Sequence, residues 1–305
     1  MKKRIIGIII SALITLLFIK AAVNILDFDA LSKMKNVNAE YMLFAALCYI
    51  LTYPLRAFRI HYISKPEKGF AATLLVCFRH QFFGRIIPFK VGDLSLPFLL
   101  KKYCGSKIEQ GSGTLLAVRF FDATVMLLSF LLCTVLAIGK SAASVLYVGG
   151  AAFIIIAVSP FFAGRIISGL KRNFPKNRII GFAEKIRISL SRLSSKNFFA
   201  LLTATVALWV FIYLSMHFVA IAFGIEITFI RTVSASFLAS AAALLPVNGL
   251  GGFGVTETGW AAGFIMMGAE RSVALASGIA SNLMSFTVVC VFGAVSLILE
   301  ARKNV

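Results

Sequence analysis

Long apolar runs separated by short polar segments occupy most of this chain. A transmembrane helix needs about 20 consecutive apolar residues. Runs of that order lie at residues 5–26, 41–58, 112–138, 145–163, 198–223 and 272–299. Two further apolar stretches, 70–100 and 232–267, are interrupted by proline and glycine. The pattern predicts an all-α polytopic membrane protein with about six full spans and two broken stretches.

The first apolar run follows a basic start, Met1 to Arg4, and has the outline of a secretory signal peptide. No clear A-x-A cleavage site follows it, and further apolar spans do. We therefore expect this run to be an uncleaved first span.

The first broken stretch carries charges that a lipid-facing helix does not tolerate. Its ionisable residues are Arg79, His80, Arg85, Lys90 and Asp93, and it is interrupted at Gly84, Pro88, Gly92 and Pro97. A formal charge at the bilayer centre costs about 2.5–3.5 kcal/mol, so four of them cost about 10 kcal/mol. Charged, broken backbone is found at membrane depth only where protein or a water-filled cavity surrounds it. This stretch is therefore predicted to be the functional part of the chain.

Basic residues cluster in the loops and predict the membrane topology. Loop 164–197 contains nine Lys and Arg residues against a lone Glu184, and the positive-inside rule places it in the cytoplasm. The same rule places both termini there, together with the loops that hold Arg56, Arg59, Lys65 and Lys68, and Lys101, Lys102 and Lys107. All these clusters are cytoplasmic only if each broken stretch is a re-entrant hairpin. We therefore expect a multi-pass protein of the cytoplasmic membrane with both termini inside.

With two hairpins, the chain divides into two halves of opposite orientation within one membrane domain, 1–305. The halves are about 1–138 and 145–299, joined by a short extracytoplasmic loop, and each contains span, span, hairpin and span. The hairpin turns are similar: an aliphatic residue and a proline lead into glycine and then a carboxylate. The turn residues are Pro88 and Gly92 before Asp93, and Pro246, Gly251, Gly252 and Gly254 before Glu257. This arrangement is typical of inverted-repeat transporters, whose sites lie at paired broken helices.

The cytoplasmic loop 164–197 contains an apolar repeat at helical spacing. Its members are Ile179, Phe182, Ala183, Ile186, Leu190 and Leu193, with basic residues largely between them. The repeat predicts an amphipathic helix lying on anionic lipid. An ordinary solvated connector is the alternative.

Composition narrows the class of protein. The chain is 59% hydrophobic with 14% charged residues and a mean hydropathy of +0.92, which excludes an ordinary soluble domain. The net charge of +19 is distributed in loops between spans, which favours anionic lipid headgroups over nucleic acid as the partner. Motifs such as HExxH and GxSxG are missing, and the five cysteines have no metal spacing. We predict no catalytic residue, no metal and no cofactor.

Four basic residues are candidates for binding a lipid headgroup: Arg79, Arg85, Lys90 and Arg119. Arginine suits a phosphate because its planar fork bonds two oxygens at once. Snorkelling to the membrane surface, or structural ion pairing with Asp93 and Asp122, is the alternative. Arg119 and Asp122 are three residues apart, a spacing that permits a pair on one helix face.

Four further residues are candidates for coupling or for balancing charge: Asp93, Asp122, Glu257 and His80. Asp93 and Glu257 each follow a hairpin turn, so each is a candidate proton site, a counter-ion for the arginines, or an N-cap of the returning helix. His80 is either a proton relay or a buried histidine satisfied by hydrogen bonds.

Together these motifs resemble the flippase-like family that includes the membrane region of lysylphosphatidylglycerol synthase. The family pattern falls on Pro88, on Gly92-Asp93, on Arg119-Phe120-Phe121-Asp122, and on Pro246 with Gly251-Gly252-Phe253-Gly254 and Glu257. Asp93 stands where the family usually has Glu, and Leu96 where it often has Arg, so any headgroup role of that Arg is absent or moved to Arg85 or Lys90. The aminoacyl-transfer domain of the full synthases is missing from this sequence. The resemblance implies lipid translocation or lipid handling, not aminoacylation by this chain.

Three hypotheses of function follow. The first is a translocase for an anionic phospholipid, an aminoacyl-phospholipid or a polyprenyl-phosphate-linked lipid. The second is a non-catalytic membrane subunit that serves a separate lipid-modifying enzyme. The third is a small-ion transporter that uses Asp93 and Glu257. The sequence names neither the lipid nor the oligomeric state.

Overall fold

The computed structural model describes residues 37–87, 91–138, 143–173, 177–191, 195–244 and 253–303. Within these ranges the elements are helices, with no strand among them. In chain order they are α1 Ala39–Ser64, α2 Phe70–Ile86, a 3-10 turn Val91–Leu94, α3 Ser95–Cys104, α4 Ile108–Ile138, α5 Ala143–Asn173, α6 Arg178–Ser191, α7 Ser195–Ala222, α8 Phe229–Leu244, α9 Val255–Met266 and α10 Arg271–Lys303.

Among the described residues, four helices are long and apolar enough to cross a membrane. They are Ala39–Ser64, Ile108–Ala137, Phe198–Ala222 and Arg271–Glu300, and they coincide with four of the predicted spans. The fourth predicted span, 145–163, lies within α5, which continues to Asn173. The first, 5–26, falls outside the described residues. The all-helical membrane architecture is confirmed, while the full number of spans stays a prediction.

Both broken stretches consist of helices too short to cross the membrane alone. The longest of them, α2, has 17 residues, or about 25 Å at 1.5 Å per residue, against a hydrocarbon core of about 30 Å. The second stretch is divided into α8, with 16 residues, and α9, with 12 residues. The breaks lie where proline and glycine interrupt the apolar pattern. Whether the two stretches re-enter the membrane stays a prediction.

Packing divides the chain into two compact units built from alternating segments. The first unit comprises residues 1–53, 78–95 and 210–305, and the second comprises 54–77 and 96–209. The boundaries fall inside α1, α2, α3 and α7, so each of these helices contributes to both units. Each unit takes residues from both sequence halves, and the single domain with halves 1–138 and 145–299 stays a prediction.

An antiparallel pair of helices, α8 and α9, lies in the first unit. A Cβ added to Gly263 would lie 2.0 Å from the backbone oxygen of Ala235, and one added to Gly259 would lie 2.6 Å from that of Leu238. The two backbones are therefore in direct contact, which only glycine permits. Within α9, Trp260 stacks on Phe264 with ring centroids 4.5 Å apart.

Replacing Gly263 by alanine is expected to push α8 and α9 apart. Overfilling a packed interior costs about 1–3 kcal/mol, and the atom that must move is backbone rather than a flexible side chain. Thermal unfolding of the purified protein in detergent measures the loss. Gly150→Ala is the matched control, because nothing lies within 4 Å of a Cβ at that position. Equal melting temperatures for the two variants would contradict the close approach.

In the second unit, α6 packs against α4 and α5. Lys185 of α6 forms an ion pair with Glu109 of α4, at 3.1 Å. Arg187 donates two hydrogen bonds to Glu184, and this contact lowers the pKa of the Glu184 carboxyl from its ordinary value. The sequence therefore correctly predicts a helix within residues 164–197, while the cytoplasmic location of this segment stays a prediction. Contact of this helix with a lipid surface stays a prediction.

Candidate functional site

A side-chain amide on α10 connects the two broken stretches. Asn282 Nδ2 donates to Glu257 Oε1 at 2.5 Å, and Asn282 Oδ1 accepts from Arg85 Nη1 at 2.7 Å. One turn further along α10, Ser285 Oγ accepts from Arg85 Nη2 at 2.9 Å. We call Arg85, Asn282, Ser285 and Glu257 the central network. It links the end of α2 to the start of α9 within the first unit.

Glu257 is held at the start of α9 by backbone and side-chain donors. Only 1% of it is exposed, and its Oε2 accepts from the N–H of Gly254 at 2.8 Å and from Thr256 Oγ1 at 3.0 Å. Gly254 has φ 101°, a conformation that glycine adopts without strain. The carboxylate therefore caps the helix and receives Asn282 at the same time. Its burial is stabilised by these donors.

The first broken stretch turns back closely on itself before α3. A Cβ on Gly92 would lie 2.1 Å from the backbone oxygen of Phe83, and one on Gly84 would lie 3.3 Å from Asp93 Oδ1. The end of α2 and the 3-10 turn are therefore in backbone contact. The half-buried carboxylate of Asp93 lies beside the residue that precedes Arg85. His80 Nδ1 shares a 3.1 Å hydrogen bond with Ser95 Oγ.

Arg79 differs from Arg85 in its exposure and its partners. Only 4% of Arg79 is exposed; its Nη2 donates to the backbone oxygen of Ser296 at 2.6 Å and its Nη1 lies 3.1 Å from Glu300 Oε2. Arg85 is half-buried. The contacts of Arg79 attach α2 to the end of α10, and the ion pair is with Glu300 instead of Asp93 or Asp122, the partners that the sequence suggested. Arg85 is the more accessible of the two guanidinium groups.

Asp122 belongs to a buried polar cluster in the second unit. Its Oδ1 lies 2.5 Å from Arg59 Nη1 and accepts from Trp209 Nε1 at 3.3 Å. Arg59 also donates to Thr205 Oγ1 at 3.2 Å, and only 1% of it is exposed. The sequence placed Arg59 in a cytoplasmic loop; it lies within α1 instead, because the helix continues to Ser64. Arg119 is half-buried in the same unit.

The structure thus brings some predicted site residues together and separates others. Arg85 and Glu257 share the central network, with Asp93 and His80 on the same broken stretch as Arg85. Arg79 lies against the end of α10. Five predicted positions lie outside the described residues: Pro88, Lys90, Pro246, Gly251 and Gly252. Of the other turn glycines, Gly92 provides a close approach and Gly254 a positive φ.

Sequence reasoning missed Asn282, Ser285 and the role of Arg59. Asn282 and Ser285 are polar residues three apart in an apolar span, and that spacing places them on one helix face. Polar side chains inside a transmembrane helix commonly bond to other helices, so this signal was present. Within the described ranges, no group of three or more His, Cys, Asp or Glu residues is placed to hold a metal ion.

Comparison with known protein families identifies the family to which the chain is related. The sequence model of the family described as lysylphosphatidylglycerol synthase TM region matches residues 4–293. Comparisons with curated proteins and with solved structures gave no match. The matched range contains the central network, both broken stretches and the buried Arg59–Asp122 pair. Because the match covers nearly all of the 305 residues, the chain belongs to the family of the lysylphosphatidylglycerol synthase TM region.

Proposed function

We propose that the protein is a translocase for a lipid with an anionic headgroup, and that the central network is its headgroup site. The observation that carries this proposal is the position of Asn282, which joins the two broken stretches beside their breaks, through Arg85 and Glu257. Paired broken helices are where many transporters bind substrate. Membership in a family named for a lipid synthase supports a lipid substrate.

The chemistry of the network suits a phosphate group. Arg85 presents a planar fork, and two of its hydrogen bonds go to an amide and a hydroxyl, both of them neutral acceptors. Charge-assisted hydrogen bonds to a phosphate are about twice as strong as neutral ones. A phosphate therefore competes well with Asn282 and Ser285 for the guanidinium group of Arg85. Asp93, half-buried beside Gly84, provides a carboxylate for an ammonium group. Together they favour an anionic phospholipid or its aminoacylated form.

The network also suggests how binding is converted into movement. A phosphate that takes Arg85 from Asn282 weakens the connection between α2 and α9, because the amide is their shared partner. Glu257 keeps its contacts with Gly254 and Thr256, so α9 stays capped. Ligand binding therefore releases one hairpin end from the other without unfolding either.

A vesicle assay tests the proposed function. Purified protein is reconstituted in phosphatidylcholine vesicles that contain a trace of fluorescent phosphatidylglycerol or fluorescent phosphatidylcholine, and dithionite quenching reports which leaflet holds the probe. We expect protein-dependent movement of the phosphatidylglycerol probe, faster than that of the phosphatidylcholine probe. Movement of both probes at the protein-free rate would contradict translocation by this chain and favour the membrane-subunit alternative. Proton flux without lipid movement would favour the small-ion transporter.

A further inference from the structure

A cluster of histidine, phenylalanine and threonine lies where α1 meets α2. His61, near the end of α1, lies edge-on to Phe70, with ring centroids 5.9 Å apart and an interplanar angle of 75°. His61 Nδ1 and Thr73 Oγ1 share a hydrogen bond of 3.0 Å. Thr73 is fully buried. The three side chains attach the first turn of α2 to the span before it.

The same cluster recurs where α7 meets α8. His217, near the end of α7, lies edge-on to Phe229, with centroids 5.6 Å apart and an interplanar angle of 84°. Its Nδ1 lies 2.8 Å from Thr232 Oγ1. Because the Thr232 hydroxyl donates to the backbone oxygen of Thr228 at 3.1 Å, it accepts from His217 Nδ1–H. Thr232 is also fully buried.

The two clusters match in sequence position as well as in geometry. In each, the phenylalanine is the first residue of the first helix of a broken stretch, and the threonine is three residues further on: Phe70-Ala71-Ala72-Thr73 and Phe229-Ile230-Arg231-Thr232. In each, the histidine comes from the last turns of the preceding span. The same ring contact and the same hydrogen bond therefore occur at equivalent positions in the two halves of the predicted repeat.

We propose that these two clusters, which we call the His–Phe–Thr clasps, are the fixed ends about which the two hairpins move. Each clasp holds the start of a hairpin helix, α2 or α8, through buried contacts. The other end of each hairpin leads into the central network, whose hydrogen bonds a ligand can replace. This proposal rests on the proposed function for the motion, whereas the clasps themselves are tested without transport.

The charged residues in the loop before each clasp predict the side of the membrane on which that clasp lies. The loop before α2 contains Lys65 and Lys68, and the positive-inside rule assigns it to the cytoplasm. The loop before α8, residues 223–228, contains Glu226 and no basic residue. We therefore expect the first clasp on the cytoplasmic side and the second on the extracytoplasmic side, as the predicted inverted repeat requires.

Hydrogen exchange tests the clasps directly. Thr73→Val and Thr232→Val keep the shape of the side chain and remove its hydroxyl. In each variant we expect amide exchange about fivefold faster, the factor expected for one neutral hydrogen bond, in the first two turns of its own hairpin helix and not in the other. Thr287→Val is the matched control, because its hydroxyl donates to the backbone oxygen of Leu283 in its own helix. If only one of the two variants responds, or if the response spreads over both units, the matched clasps are overturned.

Two further measurements separate this proposal from the proposed function. In the first, a single cysteine is placed at position 68 or at position 226 and treated with a membrane-impermeant maleimide. The cysteine at position 68 should react only from the inside, and the cysteine at position 226 only from the outside. Reaction of both from the same side overturns the inverted arrangement. In vesicles, the clasp variants should slow lipid movement while leaving phosphatidylglycerol binding unchanged. Unchanged movement in both variants overturns the pivot role. If the unmodified protein moves no lipid, the proposed function is contradicted but the clasps are not, because hydrogen exchange tests the clasps independently.

Discussion

Replacing Arg85 by alanine is expected to slow lipid translocation about 10- to 100-fold, since a hydrogen bond to a charged group contributes about 1.5–3 kcal/mol. The protein should still accumulate nearly normally. Two of its partners, Asn282 and Ser285, are neutral, and neutral hydrogen bonds contribute only about 1 kcal/mol each. Arg85 is half-buried, so its removal does not empty a closed interior. The vesicle assay and detergent-extracted protein yield measure the two effects separately.

Two further variants sharpen this result. Arg85→Lys should restore translocation only in part, because a point charge cannot reproduce the two-pronged geometry of the guanidinium group. Arg187→Ala is the control, since it removes an arginine of helix α6 whose partner is Glu184 of the same helix. If Arg85→Ala instead reduces protein yield, and the translocation per molecule is unchanged, Arg85 is a structural residue and the headgroup site is wrong.

The second large effect concerns the buried pair in the second unit. Asp122→Ala is expected to destabilise the protein by about 3–5 kcal/mol, the cost of leaving a buried charge without its partner. Arg59 is the group left behind, and only 1% of it is exposed. The double variant Arg59→Met with Asp122→Leu should recover most of the loss, because apolar residues of similar size frequently replace a buried ion pair without penalty. Unfolding in a denaturing detergent titration measures all three proteins.

Thr124→Val provides the control on the same helix, since its hydroxyl donates to the backbone oxygen of Phe120. A loss below about 1 kcal/mol for Asp122→Ala, the range of an exposed ion pair, would contradict the buried pair. A double variant as unstable as the single one would show that Asp122 stabilises the protein through Trp209, whose Nε1 donates to it.

The contacts within the broken stretches show where local sequence signals are enough to predict a structural feature. Gly254 and Glu257 are three residues apart, and the structure places the carboxylate on the N–H of Gly254, a contact that the spacing alone permits. Gly92 likewise lies at a turn, although its partner, the backbone oxygen of Phe83, was not foreseen. In both cases the signal was local because the interacting groups lie within about ten residues of each other.

The ion pairs show where local signals fail. Arg119 is three residues from Asp122, yet the carboxylate lies 2.5 Å from Arg59, 63 positions away. Arg79 and Arg85 resembled each other in sequence, but one is buried against Ser296 and Glu300 and the other is half-buried at the central network. Spacing along one helix states which pairs are possible. It does not indicate whether a residue far away in the sequence pairs with the same charged group instead.

The sequence by itself therefore determined the helices, the membrane class and the positions of both breaks. Apolar length, loop charge and the conformational limits of proline and glycine act within one segment. Only the tertiary structure decided the central network, because Asn282 meets Arg85 across 197 positions and Glu257 across 25. In an apolar interior a polar side chain bonds to whichever partner packing brings within about 3 Å. That choice depends on how the helices are arranged around it.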